Sequence, residues 1–249
     1  MARERWRFWF RATGWCILCV STLVAARRLQ SFVNTDPQFV LSSERPDALT
    51  VEGIVYASRA RVVRMFAPDF GRSIFLMPIA ERRRRLLGID WVDDASISRI
   101  WPNRVHVRIM ERRPVAFVNR ASRVALIDGQ GVFLDPPPLA RFTFPVLGGV
   151  TERQSEAERR ERVRAMQRML EELGPLNKDV SEVIVESTEN LKIITTVDGR
   201  AVELWLGDGN YVKRLKNFLA HYGEIRRRTP GVSIFDLRLD DRITTKEKE

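Results

Sequence analysis

The sequence has very little of the two residues that most often carry metal binding and acid–base catalysis. Its 249 residues include two cysteines and two histidines. Hydrolytic and acid–base catalysis needs a nucleophile beside a base, or two tuned carboxylates held in one site. No common zinc-protease, serine-hydrolase, phosphate-loop or dinucleotide motif occurs. The acidic pairs Asp93-Asp94 and Asp240-Asp241 lie in strand-like segments, where neighbouring side chains point to opposite faces. The sequence therefore predicts a protein that is not an enzyme and has no cofactor, metal or small-molecule substrate.

Positive charge outweighs negative charge. Lysine and arginine number 42 against 32 aspartates and glutamates, which gives a net charge of +10. Such an excess attracts nucleic acid, anionic lipid or acidic protein. Nucleic acid is the least favoured, because no aromatic residues are interleaved with the basic ones as a stacking platform. The run Arg82, Arg83, Arg84 and Arg85 has no acidic residue within it, and we interpret it as a patch for lipid headgroups or an acidic partner, with a solvated helix face as the alternative.

The N-terminus carries an uncharged apolar run at residues 14–26, after a segment in which aromatic residues alternate with arginine. That combination is typical of a membrane interface. The run is shorter than the roughly 20 apolar residues that span a bilayer. A transmembrane helix at residues 12–33 is nevertheless predicted, with Arg27 and Arg28 snorkelling to the headgroups. The arginines before it place residues 1–11 in the cytoplasm and the bulk outside, as a single-pass protein of the inner membrane.

A cleaved signal peptide is the alternative for this segment. Ala25 and Ala26 are small residues at a suitable distance, although the two arginines that follow disfavour cleavage. Cys16 and Cys19 lie in the same run, and no second Cys or His pair is available to complete a metal site with them. They are therefore interpreted as apolar filler, and the rest of the chain can form no intrachain disulfide.

Residues 34–48 are polar and proline-punctuated, which predicts a linker. The segment that follows predicts strand, helix, helix, strand, strand, with Ser58 as the first helix cap and Pro78 at the start of the second helix. Two helices on one face of a small sheet form an α+β domain, which we place at residues 49–118.

Three motifs in this domain carry a resemblance. They are Trp91-Val92, Arg99-Ile100-Trp101-Pro102, and Glu111 followed by Pro114 and Ala116. Together they resemble the POTRA signature of the FtsQ/DivIB family of bacterial cell division proteins. Asp90 stands where that family usually has proline.

The remaining chain resembles the second, FtsQ-type β domain of that family, which we place at residues 119–243, with a polar tail at 244–249. The pattern predicts a hairpin at Asp128-Gly129, a helix with a capping box at Thr151 and Gln154, a three-stranded antiparallel meander, a helix at about residues 210–227 and a last strand at 232–243. The predicted fold class is α+β, with an antiparallel sheet and flanking helices.

The resemblance implies a partner-binding role at the division septum. In the family the terminal strand receives FtsB/DivIC, acting with FtsL, and an unpaired strand edge can accept a strand from another chain. By position, the partner-binding residues would be Arg238, Leu239, Asp240, Asp241, Arg242 and Ile243. Leu239 replaces an aromatic residue that is common there. The alternatives are a POTRA-bearing export or outer-membrane assembly factor and a secreted basic binding protein.

Overall fold

The computed structural model describes residues 2–120 and 123–246, with side chains from Trp15 onward except Cys16. The side chains of the predicted cytoplasmic segment 1–11, the Cys16 thiol and the last three residues of the predicted tail lie outside the described residues. The chain divides into two compact units between Glu111 and Arg112. The sequence placed this boundary after residue 118. The difference arises because the strand Pro114–Arg120 pairs with strands of the second unit.

The first helix, α1 (Ala2–Thr35), is longer than the predicted helix at residues 12–33. Nowhere in the part of the chain that the structure describes does a helix combine the length and the apolarity needed to cross a membrane. The predicted transmembrane helix is therefore not confirmed. Arg27 and Arg28 put two charges into the last third of α1, which shortens its uncharged stretch.

Unit 1 has the predicted order of strand, helix, helix, strand, strand. Its elements are β1 (Leu49–Glu52), α2 (Arg59–Arg64), α3 (Ile79–Leu86), β2 (Val92–Ile100) and β3 (Arg104–Glu111). The sheet order is β1-β3-β2, with β1 parallel and β2 antiparallel to β3. The predicted cap is confirmed, because the Ser58 hydroxyl accepts the N–H of Arg61. The core forms where the helices cover the sheet, around Val62, Phe66 and Leu86.

The segment predicted as a linker, residues 34–48, packs against unit 1. A 3-10 turn at Pro37–Phe39 buries Phe39, and Leu41 is fully buried. Val40 forms an antiparallel bridge with Ser73. Two large apolar side chains in a short polar segment are enough to attach it to the core.

Two motif residues of unit 1, Glu111 and Arg99, form hydrogen bonds to the backbone of segments that are distant in the sequence. The Glu111 carboxylate accepts the backbone N–H groups of Val55, Tyr56 and Ala57 at 2.6–3.0 Å. The Arg99 guanidinium donates to three carbonyl oxygens of the segment 74–77. Each charged side chain therefore holds a loop through several hydrogen bonds to its backbone.

Unit 2 is a nine-stranded sheet with two long helices. The strands are β4 (Pro114–Arg120), β5 (Arg123–Asp128), β6 (Phe133–Leu134), β7 (Val146–Gly148), β8 (Val180–Ser187), β9 (Asn190–Val197), β10 (Arg200–Gly207), β11 (Ile234–Asp236) and β12 (Thr244–Lys246). The sheet order is β12-β11-β10-β9-β8-β7-β4-β5-β6. The helices α4 (Glu156–Leu173) and α5 (Tyr211–Arg228) supply Met166, Met169, Leu215 and Phe218 to one core with this sheet. The α+β class is confirmed.

Two boundaries in unit 2 differ from the sequence prediction. The capping box of α4 is formed by Ser155 and Glu158, because the helix begins one turn later than expected, and Gln154 instead accepts the N–H of Thr151. The predicted strand at 232–243 is wrong in its second half. The Asp236 carboxylate accepts the N–H of Arg238 two residues later, which turns the chain out of β11. Part of the predicted tail then returns as β12.

Candidate functional site

The end of the nine-stranded sheet is the candidate site. The strand β12 is the outermost in the sheet order and runs antiparallel to β11, which is parallel to β10. All three residues of β12 are exposed. Within the described residues, no strand pairs with its outer side. An edge of this kind presents unpaired backbone groups.

The hydrogen bonds of β11 fix the direction of its backbone groups. The carbonyl of Ser233 accepts the N–H of Glu203 at 2.8 Å, and the N–H of Leu237 donates to the carbonyl of Trp205 at 2.9 Å. Backbone groups of successive strand residues point to opposite sides. Odd-numbered residues of β11 therefore face β10, and its even-numbered residues face β12.

This alternation identifies the residue that faces the open edge. Ile234 pairs with Lys246, and Asp236 pairs with Thr244. These pairs face each other across the ladder, so the residue between them in β12 faces the other way. The N–H and C=O of Thr245 therefore point outward, away from β11.

The six predicted partner-binding residues lie in the loop between β11 and β12 and not on the edge itself. They are Arg238, Leu239, Asp240, Asp241, Arg242 and Ile243, and all except the half-buried Ile243 are exposed. The structure brings them together beside β12. The edge strand was missed because its residues are polar and exposed, and so show no apolar alternation. The β-branched run Ile243-Thr244-Thr245 was the signal that could have revealed it.

Ion pairs fasten this loop to α5. Asp240 binds Lys213 Nζ at 2.9 Å and Arg214 Nε at 3.0 Å. Hydrogen bonds from Lys213 and then Arg214 hold the pKa of Asp240 below its ordinary value. At the start of the loop, the hydrogen bond from Arg238 lowers the pKa of Asp236 in the same way. Both carboxylates are therefore charged at neutral pH, and the loop keeps its position.

A groove of about 250 Å³ lies between α5 and the loop. Its apolar wall is formed by Leu237, Leu239 and Ile243, and α5 contributes Lys213 and Asn217 among its polar side chains. Leu239 is exposed and lies at its mouth. The groove can accept one or two apolar side chains of a partner and surrounds them with charge.

Trp205 of β10 contacts cationic side chains from β9, β12 and the loop after β11. The ring centroid lies 3.9 Å from Lys246 Nζ, 4.1 Å from Lys192 Nζ and 5.1 Å from the Arg238 guanidinium carbon. Cations over an indole face are attracted by its quadrupole. Three separate chain segments supply these cations, so no local sequence pattern could reveal the cluster.

The four-arginine run is not a single cationic patch. Arg82 is buried in a two-point ion pair with Asp69. Arg83 binds Asp94 at 2.6 Å, and Arg85 pairs with Glu81 on the same helix. Only Arg84 is exposed without an ion pair to a described residue.

Neither histidine belongs to a metal-like cluster. His106 Nδ1 lies 3.0 Å from the Thr50 hydroxyl, and His221 Nδ1 lies 2.9 Å from the Asn217 carbonyl. Among the side chains that the structure describes, which do not include Cys16, no group of three or more His, Cys, Asp or Glu residues could hold a metal ion. The arrangement at β12 offers main-chain hydrogen bonds and surface charge.

Models of known protein families match both units of the chain. The family model for the FtsQ-type POTRA domain matches residues 45–112, and the model for the C-terminal part of cell division protein FtsQ/DivIB matches residues 116–238. The two matches define a POTRA-bearing cell division protein. The chain belongs to the FtsQ/DivIB family.

Individual relatives agree with the family models. Cell division protein FtsQ of Koribacter versatilis is 34% identical over 206 residues, which cover 80% of this chain and 59% of that protein. FtsQ of Novosphingobium aromaticivorans is 29% identical over 196 residues, 78% of this chain and 59% of that protein. The chain thus spans about three fifths of the length of these relatives. The DivIB extracytoplasmic domain of Geobacillus stearothermophilus matches 48% of this chain and 95% of that domain at 18% identity, with a TM-score of 0.27.

Proposed function

We propose that this chain is a non-enzymatic scaffold of the division machinery that binds an FtsB/DivIC-type partner, acting with an FtsL-type protein, through β12 and the loop beside it. Binding there would help to position septal cell-wall synthesis. The observation that carries the proposal is the outward-facing N–H and C=O of Thr245 at an exposed sheet edge. These groups match the backbone of a strand added by another chain.

The surroundings of this edge support recognition by more than backbone pairing. Arg238 and Lys246 lie beside Trp205, and Leu239 stands exposed at the mouth of the groove along α5. A partner segment with an apolar side chain for the groove and an acidic residue near the cations would complement both features. The loop residues 238–243 thus remain part of the proposed interface, as side-chain contacts next to the edge.

The proposal includes a location at the inner membrane, with the bulk of the chain on its outer side. Family membership supports it, because FtsQ relatives imply a division-related membrane protein. The proposal does not require that α1 spans the bilayer.

The test is a substitution that removes the outward N–H and leaves the ladder to β11 unchanged. Thr245→Pro does this, since proline lacks the N–H and residue 245 donates nothing to β11. Thr245→Val is the matched control, because it keeps the N–H and the β-branched shape. Tagged full-length protein would be purified from membranes, and its bound chains identified by mass spectrometry.

We expect Thr245→Pro to retain roughly fivefold less of a small FtsB/DivIC-type chain than the natural chain and Thr245→Val do, because it lacks one backbone hydrogen bond of about 1 kcal/mol. Unchanged hydrogen exchange in β10 and α5 would verify that unit 2 remains folded. Retention of as much partner by folded Thr245→Pro as by Thr245→Val would refute strand addition at β12.

A further inference from the structure

Unit 1 has an exposed apolar surface that lies outside its core. Three exposed side chains from three segments form it: Phe32 at the end of α1, Leu76 in the 3-10 turn Ile74–Leu76, and Trp101 at the β2–β3 turn. Trp101 is 62% exposed, although tryptophan buries more apolar area than other side chains. We call these three residues the aromatic patch. An exposed apolar group of this kind marks a surface that meets something other than water.

The aromatic patch is held rigidly from beneath. The buried ring of Phe39 packs edge-to-face with Phe32, Phe75 and Trp101, at centroid distances of 5.8, 5.4 and 5.4 Å. Phe75 and Trp101 also pack against each other at 5.1 Å. The hydroxyl of Ser73 donates to a carbonyl of α1 at 2.9 Å. The end of α1 and the β2–β3 turn therefore present one preformed surface.

Positive charge surrounds the aromatic patch. Arg28 lies one helical turn before the patch residue of α1, Arg72 precedes the 3-10 turn, and Arg104 closes the β2–β3 turn. Arg28 and Arg72 form no ion pair with a described residue. Asp47 is the acidic group here that pairs with arginine, and it is shared by Arg45 at 3.1 Å and Arg104 at 3.9 Å. Asp36, at the start of the turn Pro37–Phe39, is a second carboxylate beside the patch. Against Asp36 and Asp47 stand Arg28, Arg45, Arg72 and Arg104, so the rim is net positive.

We propose that the aromatic patch docks unit 1 onto the surface of an anionic lipid bilayer. Tryptophan beside arginine is the side-chain pair that the headgroup region favours, because the ring occupies the apolar boundary while the guanidinium binds phosphate. The apolar surface also continues along α1, where the following side chains are exposed: Trp15, Ile17, Leu18, Val20, Leu23, Val24 and Leu29. The charge of the rim is complementary to anionic headgroups. Docking needs contact with the interface and no spanning helix.

This proposal assigns the membrane contact to the aromatic patch and not to the arginine run at residues 82–85, where the sequence predicted it. Three of those four side chains are engaged by carboxylates of unit 1. The rim arginines Arg28 and Arg72 keep their charge for an external anion. The two surfaces can therefore be separated by substitution.

The test places an environment-sensitive fluorophore in the aromatic patch of the full-length chain. With Cys16 and Cys19 replaced by serine, Leu76→Cys carries the probe. Val55→Cys is the matched control, because Val55 is an apolar residue of the same unit, 75% exposed, that lies outside the patch. Each labelled chain is mixed with phosphatidylglycerol–phosphatidylcholine vesicles that contain nitroxide-labelled lipid, and vesicle-bound protein is isolated by flotation.

We expect the Leu76 probe to shift to shorter wavelength and to be quenched, while the Val55 probe keeps the emission of a probe in water. Arg72→Gln should lower the ratio of docked to undocked chain about fivefold, and Arg84→Gln should leave it unchanged. A Leu76 probe that stays as exposed as the Val55 probe would overturn the proposal. Shielding that arises only when membrane proteins are added would also overturn it, and would assign the patch to a protein partner. Neither result depends on partner binding at Thr245.

Discussion

Removal of the Asp69 carboxylate should lower the stability of unit 1 far more than removal of an exposed arginine such as Arg84. The Arg82 guanidinium donates to the two oxygens of Asp69 at 2.6 and 3.0 Å, and the side chains are 5% and 3% exposed. Asp69→Ala leaves a permanently charged group buried, with only the partly exposed Glu81 carboxylate, 3.8 Å from Arg82 Nη1, as a remaining described ion-pair partner. Breaking one side of a buried ion pair costs about 3–5 kcal/mol, which is a large part of the roughly 5–15 kcal/mol that stabilises a typical domain.

Hydrogen exchange read by mass spectrometry is the suitable assay, because it reports on peptides of α3 and β2 separately from unit 2. Arg84→Ala is the control on the same helix, and it should change the opening free energy by no more than about 0.5 kcal/mol. The double substitution Asp69→Leu with Arg82→Met should recover most of the loss, since a buried pair can be replaced by apolar side chains of similar size. If Asp69→Ala behaves like Arg84→Ala, the pair is not buried in solution and the reasoning fails.

Two further predictions concern carboxylates. Glu111→Gln should cost about 1.5–3 kcal/mol, because the backbone N–H groups then meet a neutral amide oxygen in place of a charged acceptor, and the second oxygen becomes a donor NH2. Exchange of the amides at residues 55–57 should rise, and unchanged exchange there would contradict the role of Glu111 in holding this loop. Glu182→Gln should stabilise unit 2 at pH 7, because burial and then the charge of Glu203 raise the pKa of Glu182, so the folded state disfavours its ionised form. Thermal unfolding should show this gain shrinking as the pH falls from 7 to about 3, which is below the ordinary pKa of glutamate, so that the natural residue is protonated in both states. An equal gain at both pH values would contradict the prediction.

Local patterns predicted much of the fold. The helical spacing of apolar residues predicted α4 and α5, and the alternation between residues 180 and 206 predicted the meander of β8, β9 and β10, because these elements bury one face against a single core. The motif residues Arg99 and Glu111 identified the family. Their roles in holding loops became visible only with the backbone in place.

The candidate site could be predicted only in part, because its contacts join distant segments. The position of residues 238–243 near the sheet edge followed from the resemblance, but the turn set by Asp236 and the return of the chain as β12 did not. The burial of Arg82 depends on Asp69, which lies 13 residues earlier in the chain. From the sequence alone, all four arginines are expected to be exposed. Only the structure shows that a separate segment supplies a carboxylate that allows one of them to be buried.

Because β12 is short, the groups that align a bound strand are not the groups that determine how tightly it binds. Among the three described residues of β12, the outer side offers the one donor and one acceptor of Thr245, and each hydrogen bond contributes about 1 kcal/mol net. A micromolar complex needs about 8 kcal/mol, so backbone pairing at this edge can set the register of an incoming strand but cannot hold it. The residence time of a partner would then depend on side chains beside the edge, such as Leu239 and the cations around Trp205, which can change during evolution without altering the direction in which the strand is added.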